Sequence, residues 1–225
     1  MTAPQTTGTG KGSGGGLLLG LFLLQLAVAW LIGTQRLLTN DGAFPVPPIA
    51  LSAVIPVAVF LGAYAGSVRW RRLIEGLDLR ILTMTQHWRV VGFAFLPLYA
   101  YGVLPGLFAW PAGLGDVAVG LAAILVVTRL DRDPGYATSA GFRAFHFLGL
   151  FDFAVAVGTA GLASGAVPAL TAGGPSSAPM DVWPLNIFPS LFVPAFIILH
   201  LIVLLRLPAL RRRARSGAER TAVTR

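Results

Sequence analysis

The chain has no cysteine, and only 12% of its 225 residues are charged. The lack of cysteine excludes disulfides, thiolate metal sites, iron–sulfur clusters and cysteine nucleophiles. The scarcity of charge argues against a water-soluble domain, in which about a quarter of the residues are normally charged. The chain also has no phosphate-binding loop, nucleophile elbow, HExxH pair or dinucleotide fingerprint. The sequence therefore gives no support for soluble-type enzyme chemistry, and a role without catalysis is favoured.

Apolar residues make up 55% of the chain, and they fall into long blocks. A helix needs roughly 20 such residues to cross the hydrocarbon of a bilayer. The blocks predict an all-α, polytopic transmembrane helical bundle of about six spans. We expect these spans at about residues 16–33, 48–66, 90–110, 115–129, 142–165 and 186–207.

The segments outside and between these blocks complete the prediction. Residues 1–15 are small, polar and glycine-rich, which is typical of a flexible tail. Residues 208–225 form a basic tail, and a tight turn is expected at residues 111–115. Pro189 and Pro194 should kink the last span because they remove backbone donors. The first block also resembles a signal peptide at residues 27–29, although an uncleaved helix is favoured.

The basic residues predict the orientation. The 17 Lys and Arg residues outnumber the 9 Asp and Glu residues, which gives a net charge of +8. Six spans with both ends inside place every Lys and Arg except Arg36 in the cytoplasm. Because these residues lie beside apolar blocks, we expect contact with the bilayer and its anionic headgroups rather than with nucleic acid. The oligomeric state is left open.

Ionisable residues inside apolar blocks are costly and are therefore functional candidates. Asp152, Asp116 and Arg89 are the candidate intramembrane polar site. Asp152, about two and a half turns into span five, is either a proton or cation site or a packing carboxylate bonded to a helix-end amide or to Arg89. Asp116 is expected to cap a helix after the turn at 111–115. Arg89 is expected at the cytoplasmic boundary of span three.

Histidines are the second set of candidates. His146, His200 and His87 are expected at a similar depth in the cytoplasmic leaflet. Neutral imidazole is a good ligand for iron, copper and zinc, so these residues are candidate ligands for a metal ion or haem b. The alternative is that each histidine only makes a polar contact between helices. Both interpretations stay open.

Three stretches of the sequence carry a resemblance to a known family: QHWRVVGFAFLPLYAYGVLPGLFAWPAGLGDVAVG, LGLFDFAVAVGTAG and FPSLFVPAFIILH. They resemble blocks of small, uncharacterised bacterial polytopic membrane proteins with about six spans. The resemblance implies a bacterial inner membrane protein and brings no activity with it. Three hypotheses follow: a small transporter or proton-coupled carrier in which Asp152 titrates, a haem-binding or metal-binding redox protein using His146 and His200, and a structural or assembly subunit.

Overall fold

The computed structural model describes residues 12–40, 47–171 and 173–223, and these residues contain helices and no strand. The α-helices are α1 (Gly12–Thr34), α2 (Ala50–Gly66), α3 (Val68–Glu75), α4 (Leu79–Thr85), α5 (Phe95–Ala100), α6 (Gly106–Arg132), α7 (Ala140–Gly161), α8 (Pro168–Thr171) and α9 (Val193–Val223). A 3₁₀ segment, Gln86–Ala94, joins α4 to α5. Two π-helical segments, Leu162–Ala166 and Phe188–Phe192, follow α7 and precede α9.

Most arginines of the described chain gather at one end of the bundle, here called the basic end. Arg80, near the start of α4, forms an ion pair with Asp131 in the last turn of α6, with 3.1 Å between Nε and Oδ1. Arg206 of α9 donates from Nη1 to the carbonyl oxygen of Leu77 at 2.6 Å. These contacts join the end of α6 to the start of α4, and they tie α9 to the connection before α4.

The opposite end, here called the loop end, is built on the connection between α7 and α9. Within it, the Trp183 N–H donates to the Gly33 carbonyl at 3.3 Å, and the Asn186 amide donates to the Ala29 carbonyl at 2.6 Å. Both contacts fasten this connection to the last turns of α1. The N-terminal helix is thereby attached to the rest of the bundle mainly at its loop end.

Four described helices are long and apolar enough to cross a membrane, and five can cross if a bent pair is one span. The four are Gly16–Thr34, Gly106–Arg132, Ala140–Gly165 and Phe188–Arg212, and the bent pair is α2 with α3, which meet at 107°. Residues 79–100 are also helical throughout, but the 3₁₀ segment divides them into three short helices. The described chain therefore has one such helix fewer than the six predicted, even with the bent pair counted.

The predicted turn at residues 111–115 is wrong. Residues 101–105 make the turn, and Gly102 adopts a φ of +70°, a value that glycine reaches without steric cost. Pro105 is the N-cap of α6, and Pro111 lies inside that helix. The missing N–H of Pro111 removes a single bond early in a 27-residue helix. The packing of α6 against the 3₁₀ segment and α5 outweighs that loss.

The two predicted tails also differ from the structure. Residues 1–11 of the expected flexible tail lie outside the described residues, whereas residues 12–15 already belong to α1. At the other end α9 continues through Pro208 to Val223, so most of the predicted basic tail extends a helix. Residues 224–225 lie outside the described part. Near Pro189 the chain widens into a π-helical turn, as a missing donor favours.

The interior differs between the two ends of the bundle. The half towards the basic end has a packed core with contributions from α2, α4, α6, α7 and α9, including Phe60, Leu82, Phe142 and Ile202. The half towards the loop end has a smaller packed core, which includes Phe95, Leu104 and Phe108, and beside it a cavity of about 820 Å³ that is open to the surface. The outer faces of the helices carry large apolar side chains, such as Leu125 and Phe151, each 65% exposed. Such surfaces are unfavourable in water and suit contact with lipid.

Candidate functional site

A single arginine organises the buried polar cluster. Arg89 lies in the 3₁₀ segment, and its side chain is 0% exposed. Its Nε donates to Oδ1 of Asp116 on α6 at 2.8 Å, and its Nη2 donates to Oδ2 of Asp152 on α7. Its Nη1 donates to the Gly149 carbonyl at 3.2 Å, and the guanidinium lies 3.8 Å from the centre of the Phe153 ring. The cluster therefore ties the 3₁₀ segment, α6 and α7 together.

Two histidines extend this cluster towards the basic end. Nη1 of Arg89 lies 3.3 Å from Nε2 of His200. Because arginine only donates hydrogen bonds, His200 must accept at Nε2 and carry its proton on Nδ1. That proton points to Nδ1 of His146 at 2.8 Å, so His146 carries its own proton on Nε2. Nε2 of His146 is buried and has no hydrogen-bond partner in the described chain.

Three polar side chains of the cluster pack over a glycine of a neighbouring helical element. A Cβ atom added at the glycine would overlap the polar side chain in each of three pairs: Gly92 with Asp116, Gly115 with Asp152, and Gly149 with His200. A glycine has no side chain, so it leaves room for a carboxylate or an imidazole between two closely packed helices. These glycines are part of the site, although they carry no chemistry.

The 3₁₀ segment brings its own buried residues onto one face. Gln86, Arg89 and Gly92 are spaced by three residues, and all three are buried. Residues i and i+3 of a 3₁₀-helix lie directly above one another. The Gln86 amide donates to the Phe196 carbonyl of α9 at 3.2 Å, one turn from Arg89. The segment therefore points one continuous row of residues at α6, α7 and α9.

The charges of the cluster do not balance. One guanidinium faces two carboxylates, and the hydrogen bonds place both histidines in their neutral forms. With both aspartates ionised, the cluster holds one surplus negative charge. An uncompensated charge is costly away from water, so one bound proton or one bound monovalent cation would stabilise the cluster.

The cavity connects this cluster to the loop end. Its wall is mostly apolar and comes from α2, the 3₁₀ segment, α6, α7 and α9. Asp116 and Arg89 lie at one end of it, and Ser177 and Asp181 lie at the other. The Asp116 side chain is 15% exposed, whereas that of Arg89 is 0% exposed. A carboxylate, and not the guanidinium, is therefore the accessible charged group at the base of the cavity.

Asp181 is the second acidic residue of the cavity, and it lies in the connection between α7 and α9. Burial raises its pKa from 3.8 to about 6, although the backbone N–H of Asn40, 3.3 Å from Oδ2, partly opposes that rise. Asp181 therefore takes up a proton more readily than an exposed aspartate does. The negative charge of Asp181 at the loop end of the cavity is therefore lost as pH falls through about 6.

The structure corrects two predictions about these residues. Arg89 does not lie at the end of a helical stretch, because it is buried near the middle of the helical residues 79–100. Asp116 does not cap a helix, because it is the eleventh residue of α6 and pairs with Arg89. For Asp152, the geometry places the carboxylate against Arg89, one of the partners considered from the sequence.

The histidines separate into a pair and a single residue. His146 and His200 touch, whereas His87 donates from Nδ1 to the Gly120 carbonyl at 3.0 Å and faces α6. Among the described residues, no group of three or more His, Cys, Asp or Glu side chains is placed to hold a metal ion. Binding of haem or a metal ion by these histidines stays a prediction.

Sequence reasoning missed the glycines and Gln86. The signal for Gln86 was its position three residues before Arg89, which becomes meaningful only when the local helix has three residues per turn. The signal for the glycines was weaker, since 27 glycines are spread along the chain. Only the register between helices distinguishes Gly115 and Gly149 from the others.

Neither a curated protein nor a solved structure matches the chain. A family model matches residues 46–208, which include the 3₁₀ segment, both aspartates of the cluster and both histidines of the pair. Since this match covers well over half of the sequence, the chain belongs to the family described as domain of unknown function DUF8737.

Proposed function

We propose that the chain is an integral protein of the bacterial inner membrane that crosses the bilayer six times, with both ends in the cytoplasm. The apolar outer faces and the basic end support this topology, because Lys and Arg beside spans are retained on the cytoplasmic side. The basic end would then contact anionic headgroups. The loop end would face the other side of the membrane.

The third crossing is residues 79–100. α2 ends at Gly66 and α4 begins at Leu79, both near the basic end, whereas α6 begins at the loop end. The chain must therefore return across the bundle between them. Nine of these 22 residues are in 3₁₀ conformation, which rises about 2.0 Å per residue, so the segment is about 37 Å long. That length exceeds the roughly 30 Å of hydrocarbon.

Reporter fusions test this topology. Alkaline phosphatase fused after Val103 is expected to be active, because the 101–105 turn lies at the loop end. Green fluorescent protein fused after Asp133 is expected to fluoresce, because that residue follows α6 at the basic end. The reciprocal fusions serve as controls. Phosphatase activity after Asp133 would place the basic end outside and overturn the orientation.

Within this topology we propose a small proton-coupled carrier. The observation that carries the proposal is the pairing of one buried arginine with two carboxylates, one of which, Asp116, lines the base of a cavity. The surplus negative charge provides a proton site deep in the bundle. The cavity supports access from the loop end, and the packed core closes the basic end. A carrier that exposes such a site alternately to each side couples proton movement to its substrate.

Infrared spectroscopy of the purified protein in lipid nanodiscs tests the proton site. We expect a protonated-carboxyl C=O band that titrates with pH and is lost or shifted in Asp116→Asn or Asp152→Asn. Asp131→Asn is the matched control, because Asp131 is 52% exposed in a surface ion pair and should leave the band unchanged. If neither variant in the cluster alters any protonated-carboxyl band, the cluster holds no proton and the carrier proposal fails.

A further inference from the structure

We infer that the cavity binds a lipophilic monovalent cation, which displaces the proton of the Arg89–Asp116–Asp152 cluster. This inference rests on the proposed proton site and adds the chemical class of the substrate. The substrate would be an organic ammonium or phosphonium ion with an apolar body. Proton and cation would then compete for the same surplus charge.

The size and wall of the cavity suit such a molecule. A volume of about 820 Å³ is within the range of sites for small organic ligands, which is roughly 300–1,000 Å³. The wall is apolar over most of its surface and is rich in aromatic rings, whose faces attract organic cations. The aromatic residues that line it from five elements include Phe95, Phe108, Phe153, Phe188, Phe192 and Phe196.

The accessible charge selects a cation over an anion. An anion would have to reach the guanidinium of Arg89, which is 0% exposed and covered by two carboxylates, a backbone carbonyl and His200. A cation needs only a carboxylate oxygen, and the Asp116 side chain is 15% exposed at the cavity. The sign of the ligand's charge is therefore set by Asp116, the partner of the ion pair that faces the cavity.

The cavity also opens on the surface of the bundle. Val54 of α2 and Val157 of α7 both line it, and they are 59% and 45% exposed. A lipophilic ion partitioned into the bilayer could therefore enter sideways between α2 and α7. This route favours a substrate that dissolves in lipid over a small hydrated ion.

The exchange leaves the cluster neutral in both states. When the cation arrives, the O–H bond of one carboxylic acid breaks, the proton leaves through the cavity, and the carboxylate pairs with the cation. The charged or titratable groups facing Asp116 are Arg89 from the 3₁₀ segment, Asp152 from α7 and, beyond Arg89, His200 from α9. Helix α2 lines the cavity with apolar side chains, and Asp181 lies at the far end.

Equilibrium dialysis of tetraphenylphosphonium against the full-length protein tests the inference. The apparent affinity of the unmodified protein for tetraphenylphosphonium should fall as pH is lowered, because one proton competes with one cation. The decrease should approach about tenfold for each pH unit. Asp116→Asn should weaken binding at least about tenfold and remove the pH dependence. Asp131→Asn, the exposed control, should change neither. Tetraphenylborate, which has the same shape and the opposite charge, should show no binding that depends on Asp116.

Three results would overturn the inference: pH-independent binding, equal binding by Asp116→Asn, or Asp116-dependent binding of tetraphenylborate. The pH series needs only the unmodified protein, so it stands even if Asp116→Asn fails to fold. The infrared band shows whether the cation inference or the proposed proton site has failed. A band lost in Asp116→Asn without competing cation binding removes the substrate class alone. Cation binding that depends on Asp116, without a titrating band that Asp116→Asn or Asp152→Asn alters, removes the proton site and with it the exchange of proton for cation.

Discussion

Arg89→Met is expected to lower the free energy of unfolding by about 3–5 kcal/mol, because it leaves two buried carboxylates without their partner. The methionine occupies much of the same volume, so the loss is electrostatic rather than a cavity effect. Unfolding in mixed detergent micelles, followed by tryptophan fluorescence, measures it. Five tryptophans provide the signal.

A compensating variant separates charge from packing. The triple replacement Arg89→Met, Asp116→Asn and Asp152→Asn removes all three charges and should recover most of the lost stability. Arg80→Met is the matched control, since Arg80 is 50% exposed in its ion pair, and it should change stability by less than about 1 kcal/mol. Equal losses for Arg89→Met and Arg80→Met would show that Arg89 is not a buried counter-ion.

Gly149→Ala is expected to lower the free energy of unfolding by about 1–3 kcal/mol, because its methyl group would overlap the His200 ring. Displacing that ring also disturbs the contacts between His200 and both Arg89 and His146. The same unfolding experiment measures the loss. It should be accompanied by weaker tetraphenylphosphonium binding, because Arg89 holds Asp116 in place.

The same helix offers the control for this substitution. Gly158 lies on α7, and a Cβ there meets no atom within 4 Å. Gly158→Ala should therefore leave stability unchanged or raise it by up to about 1 kcal/mol, since alanine favours a helix more than glycine does. A loss of stability in Gly158→Ala that matches the loss in Gly149→Ala would show that the effect comes from the helix itself and not from the histidine.

Hydrophobic blocks predicted several helices well. The blocks at 16–33, 48–66 and 142–165 agree closely with α1, α2 and α7 with its π-helical extension, because each block is bounded by polar or turn-forming residues. The helix boundaries in the region 86–115 were harder to predict. Proline and glycine occur near both 102–106 and 111–115, so local chemistry favours a turn at either place. Packing of α6 against the neighbouring helices decides between them.

The error in the predicted position of the turn explains the error in the predicted role of Asp116. A turn at 111–115 makes Asp116 a capping residue, whereas a turn at 101–105 puts it in the middle of a helix. Arg89 was assigned to a boundary because the apolar block begins at the next residue. Asp152 was identified from its depth alone. Their meeting depends on helix rotation and on glycines in neighbouring helices, which hydropathy does not encode.

The 3₁₀ conformation of Gln86–Ala94 determines both the alignment of the site residues and the length of the segment. Three residues per turn keep Gln86, Arg89 and Gly92 in one row, whereas 3.6 residues per turn would carry Gly92 about a third of a revolution away from Gln86. Rewinding all nine residues would also shorten the segment by about 4–5 Å. The rotation of this row of residues and the shortening of the segment would occur together. A change of helix type here would withdraw Gly92 from Asp116 and draw the two ends of residues 79–100 towards each other.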